Sequence, residues 1–145
     1  MWRVTRARPI LLMLIADSNV VIAVLAGLSD SLGAAAGQLV SEIEARGERM
    51  VVTEGVLAET AWVLRIRFDM SQREISGALL AVLDSAAFDS WDPPLVTEAL
   101  RIMADEPRLD IVDALLAARD AIGIGRVVTF DRVLARTIAR EHAGD

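Results

Sequence analysis

Apolar and polar positions along this chain predict strands and helices in alternation. Leu11 to Ala16 is a continuous apolar run bounded by polar residues, and such runs predict strands that are buried on both faces. Arg126 to Phe130 is predicted to be a second buried strand. Met50 to Thr53 and Phe88 to Trp91 predict two further short strands. The chain therefore offers four strands for one sheet.

Segments with helical spacing or helix-start signals separate these strands. Ser18 or Asn19 is expected to cap the first helix, and Ser71 with Glu74 forms a capping box before a later one. Because strands and helices alternate, we expect an α/β fold with a mostly parallel sheet. The predicted helices are Val20 to Ala26, Ser31 to Arg46, one from Thr53 or Glu54, one behind Ser71, Pro93 to Ala104, one from Leu109 or Asp110 to Ile122, and one from Asp131.

The composition is rich in apolar residues for a chain of this length. It has 145 residues, 54% of them hydrophobic, and a mean hydropathy of +0.43. A chain of this size forms one domain with a core of its own. The apolar excess indicates a large core, apolar surface covered by a partner, or both. There is no cysteine, which excludes disulfides, thiol catalysis and thiolate metal sites.

The charge pattern limits how this chain can meet a polyanion. The net charge is −6, and all 15 basic residues are arginine. The lack of lysine excludes Schiff-base catalysis and the lysine of a phosphate-binding P-loop. A monomer this acidic does not bind nucleic acid through its overall charge. A cation or a local arginine patch would have to offset that charge.

The first dozen residues need an interpretation of their own. Arg3, Arg6 and Arg8 precede an apolar run, as in a signal peptide, but the run is short and no small-x-small cleavage site precedes Asp17. No stretch approaches the length of a membrane span. We expect residues 1–12 to be an N-terminal extension before a natural start at Met13, and residues 13–145 to form one cytoplasmic domain.

Two aspartates have the same relation to predicted buried strands. Asp17 follows the first strand directly, and Asp131 follows the last one. In open parallel sheets, ligands bind beyond the carboxyl ends of the strands, so these two side chains could face one crevice. A single aspartate in this position is more often a helix cap. Two of them shift the balance towards a shared site.

Three further acidic residues stand beside apolar stretches. Asp110 and Asp113 share a face at the start of a helix, and apolar residues follow Asp113. Glu59 lies between Leu57-Ala58 and Ala61-Trp62-Val63. A carboxylate beside a packed face is costly unless it is paired or bound to a metal. Carboxylates without cysteine suit Mg²⁺ or Mn²⁺, and the natural chemistry is phosphodiester hydrolysis. His142, near the C-terminus, is expected to be a surface residue and not a base.

Four segments together resemble the PIN-domain ribonucleases, and within them the VapC-type toxins of toxin–antitoxin pairs. Each motif alone is weak, but all four occur in order across residues 15–132. The matching segments are Ile15 to Ile22 around Asp17, Leu57 to Arg65 around Glu59, Asp110 to Ala118 around Asp113, and Val128 to Arg132 around Asp131.

The resemblance implies a fold, a site and partners. It implies a three-layer PIN-like sandwich with strand order 3-2-1-4-5, although the chain ends soon after the last helix and a fifth strand is not evident. Asp17, Glu59, Asp113 and Asp131 would be a catalytic quartet that holds Mg²⁺ or Mn²⁺. Asp110, Ser18, Asn19 and Thr129 would support it. The implied partners are a tRNA or rRNA substrate, a VapB-type antitoxin and a second copy of the chain.

Other functional classes stay open on the sequence alone. A receiver-like phosphotransfer domain also places aspartates at strand ends, but it usually needs a lysine that this chain lacks. A binding module that has kept the fold without catalysis is a second alternative, against which the four acidic residues argue. Nothing in the sequence reads a 2′-OH, so DNA cleavage is a third.

Overall fold

The computed structural model describes residues 13–27 and 31–144. Three strands and seven helices lie within these ranges. The predicted extension, residues 1–12, lies outside them. The strands are β1 Leu14–Ile15, β2 Met50–Val52 and β3 Phe88–Ser90, and the helices are α1 Ser18–Ala26, α2 Ser31–Ala45, α3 Glu54–Phe68, α4 Gln72–Leu83, α5 Pro93–Asp105, α6 Ile111–Ala121 and α7 Arg132–Ala143.

The three strands form a parallel sheet in the order β1-β2-β3. Leu14 pairs with Met50, and Met50 in turn pairs with Phe88 on its other side. The helices flank this sheet, and the fold is an α/β sandwich of PIN type, as predicted. The order of these strands agrees with the 3-2-1 part of the predicted arrangement.

The helix ends follow local signals that the sequence carries. Gly27, with φ of 55° in the left-handed region, ends α1 because this conformation costs glycine little. The Ser71 hydroxyl accepts a hydrogen bond from the Glu74 N–H and caps α4, as the capping box predicts. Pro93 begins α5, where its missing N–H is harmless.

The core lies between the sheet and the helices, and α5 and α6 are its centre. Leu100 and Met103 of α5 are fully buried, and the small side chains of Ala114 and Ala118 on α6 let the two helices pack closely. Phe88 of β3 is the largest of the fully buried side chains. This packing holds the N-terminus of α6, which carries two of the predicted site residues.

The predicted strand at Arg126 to Phe130 is wrong. This segment has no strand structure, and the side chains of Val128 and Phe130 are 96% and 105% exposed. The Val127 N–H donates to Asp120 Oδ2 at 2.7 Å, so it is not available to a neighbouring strand. The chain therefore passes from α6 to α7 through a loop held by a side chain.

The first strand also differs from its prediction. Its described part is two residues long, and Ile15 is 61% exposed, so it is not buried on both faces. Residues 11 and 12 of the predicted strand lie outside the described ranges. Among the described helices, none by itself has the length and apolar character to cross a membrane; only α1 with α2, bent by 102°, passes as a pair.

Candidate active site

Three helices begin just beyond the carboxyl ends of the three strands, each at a polar cap. Asp17 caps α1, Thr53 caps α3 and Asp92 caps α5. Because the strands are parallel, these caps lie at one edge of the sheet, where ligands of open α/β sheets bind. Asp17 is the predicted site residue at this edge.

Asp17 is exposed and is held by its two neighbours. The Ser18 N–H donates to Asp17 Oδ1 at 2.8 Å, and the Asn19 amide donates to Asp17 Oδ2 at 3.4 Å. The prediction that Ser18 or Asn19 caps the helix is wrong, since Asp17 itself is the cap. Both predicted supporting residues nevertheless contact this carboxylate, and their support of catalysis stays a prediction.

Asp113 lies within the electrostatic reach of two other aspartates. It is half-buried on α6, and burial raises the pKa of its carboxyl group. The negative charges of Asp110 and then Asp131 raise that pKa further. Asp110 caps α6 and accepts the Asp113 N–H at 2.8 Å. We call Asp110, Asp113 and Asp131 the acidic cluster.

Asp131 reaches this cluster without a strand before it. It caps α7 by accepting the Leu134 N–H at 2.9 Å, and its own N–H donates to the Thr129 hydroxyl at 2.9 Å. The expectation that Asp131 sits at a strand end is wrong, because the preceding segment is a loop. The packing of α7 on α6 brings it to Asp113. Thr129 thus contacts Asp131 through the backbone, and its supporting role stays a prediction.

Glu59 does not lie beside a packed face as its apolar neighbours predict. It is exposed on α3, with no hydrogen-bond or ion-pair partner among the described residues. The reason is helical geometry: Leu57, Ala61 and Leu64 face the core, and Glu59 lies on the outer face with Trp62. The assignment of Glu59 to the site therefore rests on motif likeness.

The donor set can be tested for its fit to a divalent cation. Carboxylate oxygens suit Mg²⁺ or Mn²⁺ in chemistry. The crowding of negative charge around Asp113 is also the environment that a cation relieves. In the described ranges, however, no three acidic or histidine side chains converge closely enough to hold one ion. The cluster fits the ion by chemistry and charge, but its side chains would have to draw closer together to share one ion.

A cleft of about 140 Å³ opens between α3 and α6 beside the acidic cluster. Trp62 lines it and is 55% exposed, and Arg65 lies one turn further along α3. Gln72 Nε2 donates to the Leu109 carbonyl oxygen at 2.6 Å and fixes the turn before Asp110. The remaining lining residues are Ala58, Ala61, Ile111 and Val112.

An ion pair that motif reasoning does not reveal joins the two helices of this cleft. Arg119 in the last turn of α6 pairs with Glu54 in the first turn of α3. Since Asp110 at the other end of α6 lines the cleft with Arg65 of α3, the two helices run antiparallel. The sequence shows only that the two helices carry opposite charges, and this does not determine which arginine pairs with which carboxylate.

A second contact outside the predicted site involves a buried acid. Asp120 is 8% exposed and accepts hydrogen bonds from the Val127 N–H and, at 2.5 Å, from His142 Nε2. The Val127 bond, and next the His142 bond, lower the pKa of the Asp120 carboxyl group. His142 is half exposed, as expected of a surface residue, and it also ties α7 to α6.

The fold and this site define an α/β domain with Asp17 at one edge of a parallel sheet and an acidic cluster at the starts of α6 and α7. The sequence matches the PIN domain family over residues 14–139, and the chain belongs to that family. PIN domains are generally nucleases. Neither a curated protein nor a solved structure matches the chain significantly.

Proposed function

We propose that this chain is a metal-dependent endoribonuclease and the toxin of a type II toxin–antitoxin pair. The observation that carries the proposal is the acidic cluster, in which Asp113 lies within reach of Asp110 and Asp131 in a chain of the PIN family. Carboxylates that crowd together with no cationic partner in the described ranges are a costly arrangement for structure alone. They are suited to hold a cation against a phosphate.

By their likeness to the four family motifs, Asp17, Glu59, Asp113 and Asp131 would hold Mg²⁺ or Mn²⁺ once their side chains draw closer together than they lie in the structure. When bound, the ion supplies a water of lowered pKa and neutralises charge on the leaving oxygen of a phosphodiester. The chain's own bonds orient the carboxylates, since Asp131 is fixed by the Leu134 N–H and Asp17 by Ser18. Asp110 fixes the start of α6 and thereby the position of Asp113.

Cleavage of RNA by purified protein tests the proposal directly. We expect cleavage in Mg²⁺ or Mn²⁺ and none in EDTA. Asp17→Asn, Glu59→Gln, Asp113→Asn and Asp131→Asn should each abolish it. Asp84→Asn is the matched control, because it removes the same charge at an exposed position beyond the site. Full activity in Asp113→Asn would refute the assignment.

Two other readings of the same fold give different results in this assay. A non-catalytic binding module would cleave no nucleic acid under any metal condition and would take up no Mg²⁺ or Mn²⁺ in a titration. A PIN nuclease with a DNA- or RNA-processing role would cleave without arresting growth. Single-stranded DNA of the same sequence should therefore be assayed beside the RNA, and sequencing of RNA ends after induction would show whether tRNA or rRNA is the target.

The toxin role has its own test. We expect expression in the cytoplasm of a bacterial host to arrest growth, and co-expression of a VapB-type antitoxin encoded by a neighbouring gene to relieve the arrest. The same arrest should be absent with Asp113→Asn. Arrest that persists in this variant would separate toxicity from nuclease chemistry.

A homodimer would cover apolar surface that the helices leave exposed. Trp62 and Ile66 on α3 are four residues apart, as are Val112 and Leu116 on α6, and all four are exposed. Such paired positions on two contacting helices favour a helical interface. Ile66→Glu should shift the protein towards monomer in sedimentation, whereas Leu80→Glu on α4 should not.

A further inference from the structure

A row of arginines runs along α7 from the edge of the acidic cluster. Arg132, Arg136 and Arg140 are spaced four residues apart and are all exposed, so they share one face of the helix. The opposite face carries Leu134 and Thr137, which are buried and anchor the helix. Arg132 directly follows Asp131, so the row begins at the acidic cluster.

The first two arginines of this row are not neutralised by carboxylates. Within residues 13–27 and 31–144, neither Arg132 nor Arg136 forms an ion pair or side-chain hydrogen bond. Arg140 differs, because Glu106 Oε2 lies 3.9 Å from its Nη1. Arg101 and Arg119 are likewise engaged by carboxylates. Two unpaired arginines beside a cluster of aspartates are therefore a local positive charge in a chain of net charge −6.

We propose that Arg132 and Arg136 bind successive phosphates of single-stranded RNA and lead the strand to the acidic cluster. The inference rests on the proposed function and names the surface through which an acidic nuclease holds its substrate. Four residues of helix span about 6 Å, which is the scale of one nucleotide step in an extended strand. Arginine is the side chain best suited to phosphate oxygens, because its guanidinium donates two parallel hydrogen bonds.

A single-stranded nucleic acid fits this row better than an acidic protein segment. Protein recognition commonly adds apolar anchors, and the exposed face of α7 offers arginine beside alanine. A strand held by phosphates is read without base specificity, which suits a row with no neighbouring hydrogen-bonding amide. The row therefore determines how tightly the RNA strand is bound and along which line it runs. Other residues determine which RNA sequence is cleaved.

Salt dependence of RNA binding tests the proposal separately from cleavage. The probe is a fluorescein-labelled single-stranded RNA of about 12 nucleotides, a length that spans one binding site. Its affinity is measured by anisotropy in Ca²⁺ between 50 and 200 mM salt. Each single-strand phosphate contact contributes about −0.7 to the slope of log affinity against log salt, so two contacts contribute about −1.4. Arg132→Gln/Arg136→Gln should lose this contribution to the slope. Between the lowest and the highest salt concentration, the affinity of the wild type should therefore fall about sevenfold more than that of the variant.

The control variant is Arg49→Gln/Arg67→Gln. It removes the same net charge from exposed positions outside the row, one before the amino end of β2 and one in the last turn of α3. We expect it to keep the wild-type slope. In cleavage assays the α7 variant should show a raised KM with little change in kcat, because the acidic cluster is intact.

The outcomes distinguish this proposal from the proposed function. Wild-type protein that binds RNA through the α7 arginines but cleaves none would refute the nuclease and retain the RNA surface. Equal slopes in both double variants, or no RNA binding by wild type, would overturn the RNA surface. If Arg132→Gln/Arg136→Gln kept wild-type RNA binding but no longer bound an acidic protein partner, the RNA surface would also be overturned. The two arginines would then be assigned to that partner.

Discussion

His142 Nε2 lies 2.5 Å from Asp120 Oδ1, and this contact ties the last turn of α7 to the last turn of α6. The other oxygen of the same carboxylate accepts the Val127 N–H at 2.7 Å. One buried acid therefore fixes both the loop between the two helices and the far end of α7. The near end of α7 carries Asp131, so this contact also stabilises the orientation of the helix that reaches the acidic cluster.

Acidification should weaken this connection. The pKa of Asp120 is lowered from its ordinary value of 3.8, mainly by the Val127 N–H and then by His142. The carboxylate therefore stabilises the fold above that value, and the stabilisation is lost as the pH falls through the lowered pKa. Compared with Asp120→Asn in urea unfolding, the wild-type advantage should shrink as the pH falls from about 5 to below 3.8. An advantage that grows on acidification would contradict the assignment; Asp84→Asn is the control for general charge effects.

Replacing Phe88 should destabilise the fold much more than replacing Phe130, because Phe88 lies in a strand and Phe130 in a loop that was predicted to be one. Phe88 is fully buried in β3, whereas Phe130 is 105% exposed in the loop before α7. Phe88→Ala should cost about 3–5 kcal/mol in the free energy of unfolding. Phe130→Ala should change it by no more than about 0.5 kcal/mol, as at other surface positions. A large loss at Phe130, measured by the same denaturant titration, would mean that this segment packs as a strand after all.

The elements that could be predicted from the sequence are those with local causes. Gly27, the Ser71–Glu74 capping box and Pro93 set helix ends through bonds within one turn, and their helices lie as predicted. The segment Arg126 to Phe130 fails because its decisive bond comes from Asp120, a side chain on the preceding helix. An apolar run becomes a buried strand only if a neighbouring strand forms hydrogen bonds with its backbone. The sequence of the run does not show whether such a neighbour is present.

The candidate site divides in the same way. Asp110 and Asp113 are close because three residues of one helix separate them, so their pairing is local and predictable. Asp131 joins them through helix packing, although the strand-end argument that pointed to it does not hold. For Glu59, flanking apolar residues suggested burial, but a helix turns by about 100° per residue, so sequence neighbours face elsewhere. The sequence could not determine whether the side chain of Glu59 lies close to the other three carboxylates of the predicted quartet.

Removing the charge of Asp110 or of Asp131 should lower the pKa of Asp113 by different amounts. Burial makes the largest contribution to the raised pKa, followed by the charge of Asp110 and then that of Asp131. Asp110→Asn should therefore lower the pKa of Asp113 more than Asp131→Asn does, and neither should restore its ordinary value. Titration of the carboxyl carbon by NMR measures this, with Asp89→Asn as the control. An equal pKa in all variants would show that the three carboxylates are not neighbours in solution.

Capping and catalysis can be separated at Asp131, because asparagine keeps one role and loses the other. Its carboxylate caps α7 through the Leu134 N–H, and an asparagine oxygen can accept the same bond. Asp131→Asn should keep the stability of the wild type and lose cleavage. Asp131→Ala should lose cleavage and about 1 kcal/mol of stability as well. Denaturant unfolding and RNA cleavage are measured on the same preparations. If asparagine retained activity, the residue would be a cap alone, and the acidic cluster would lose its third member.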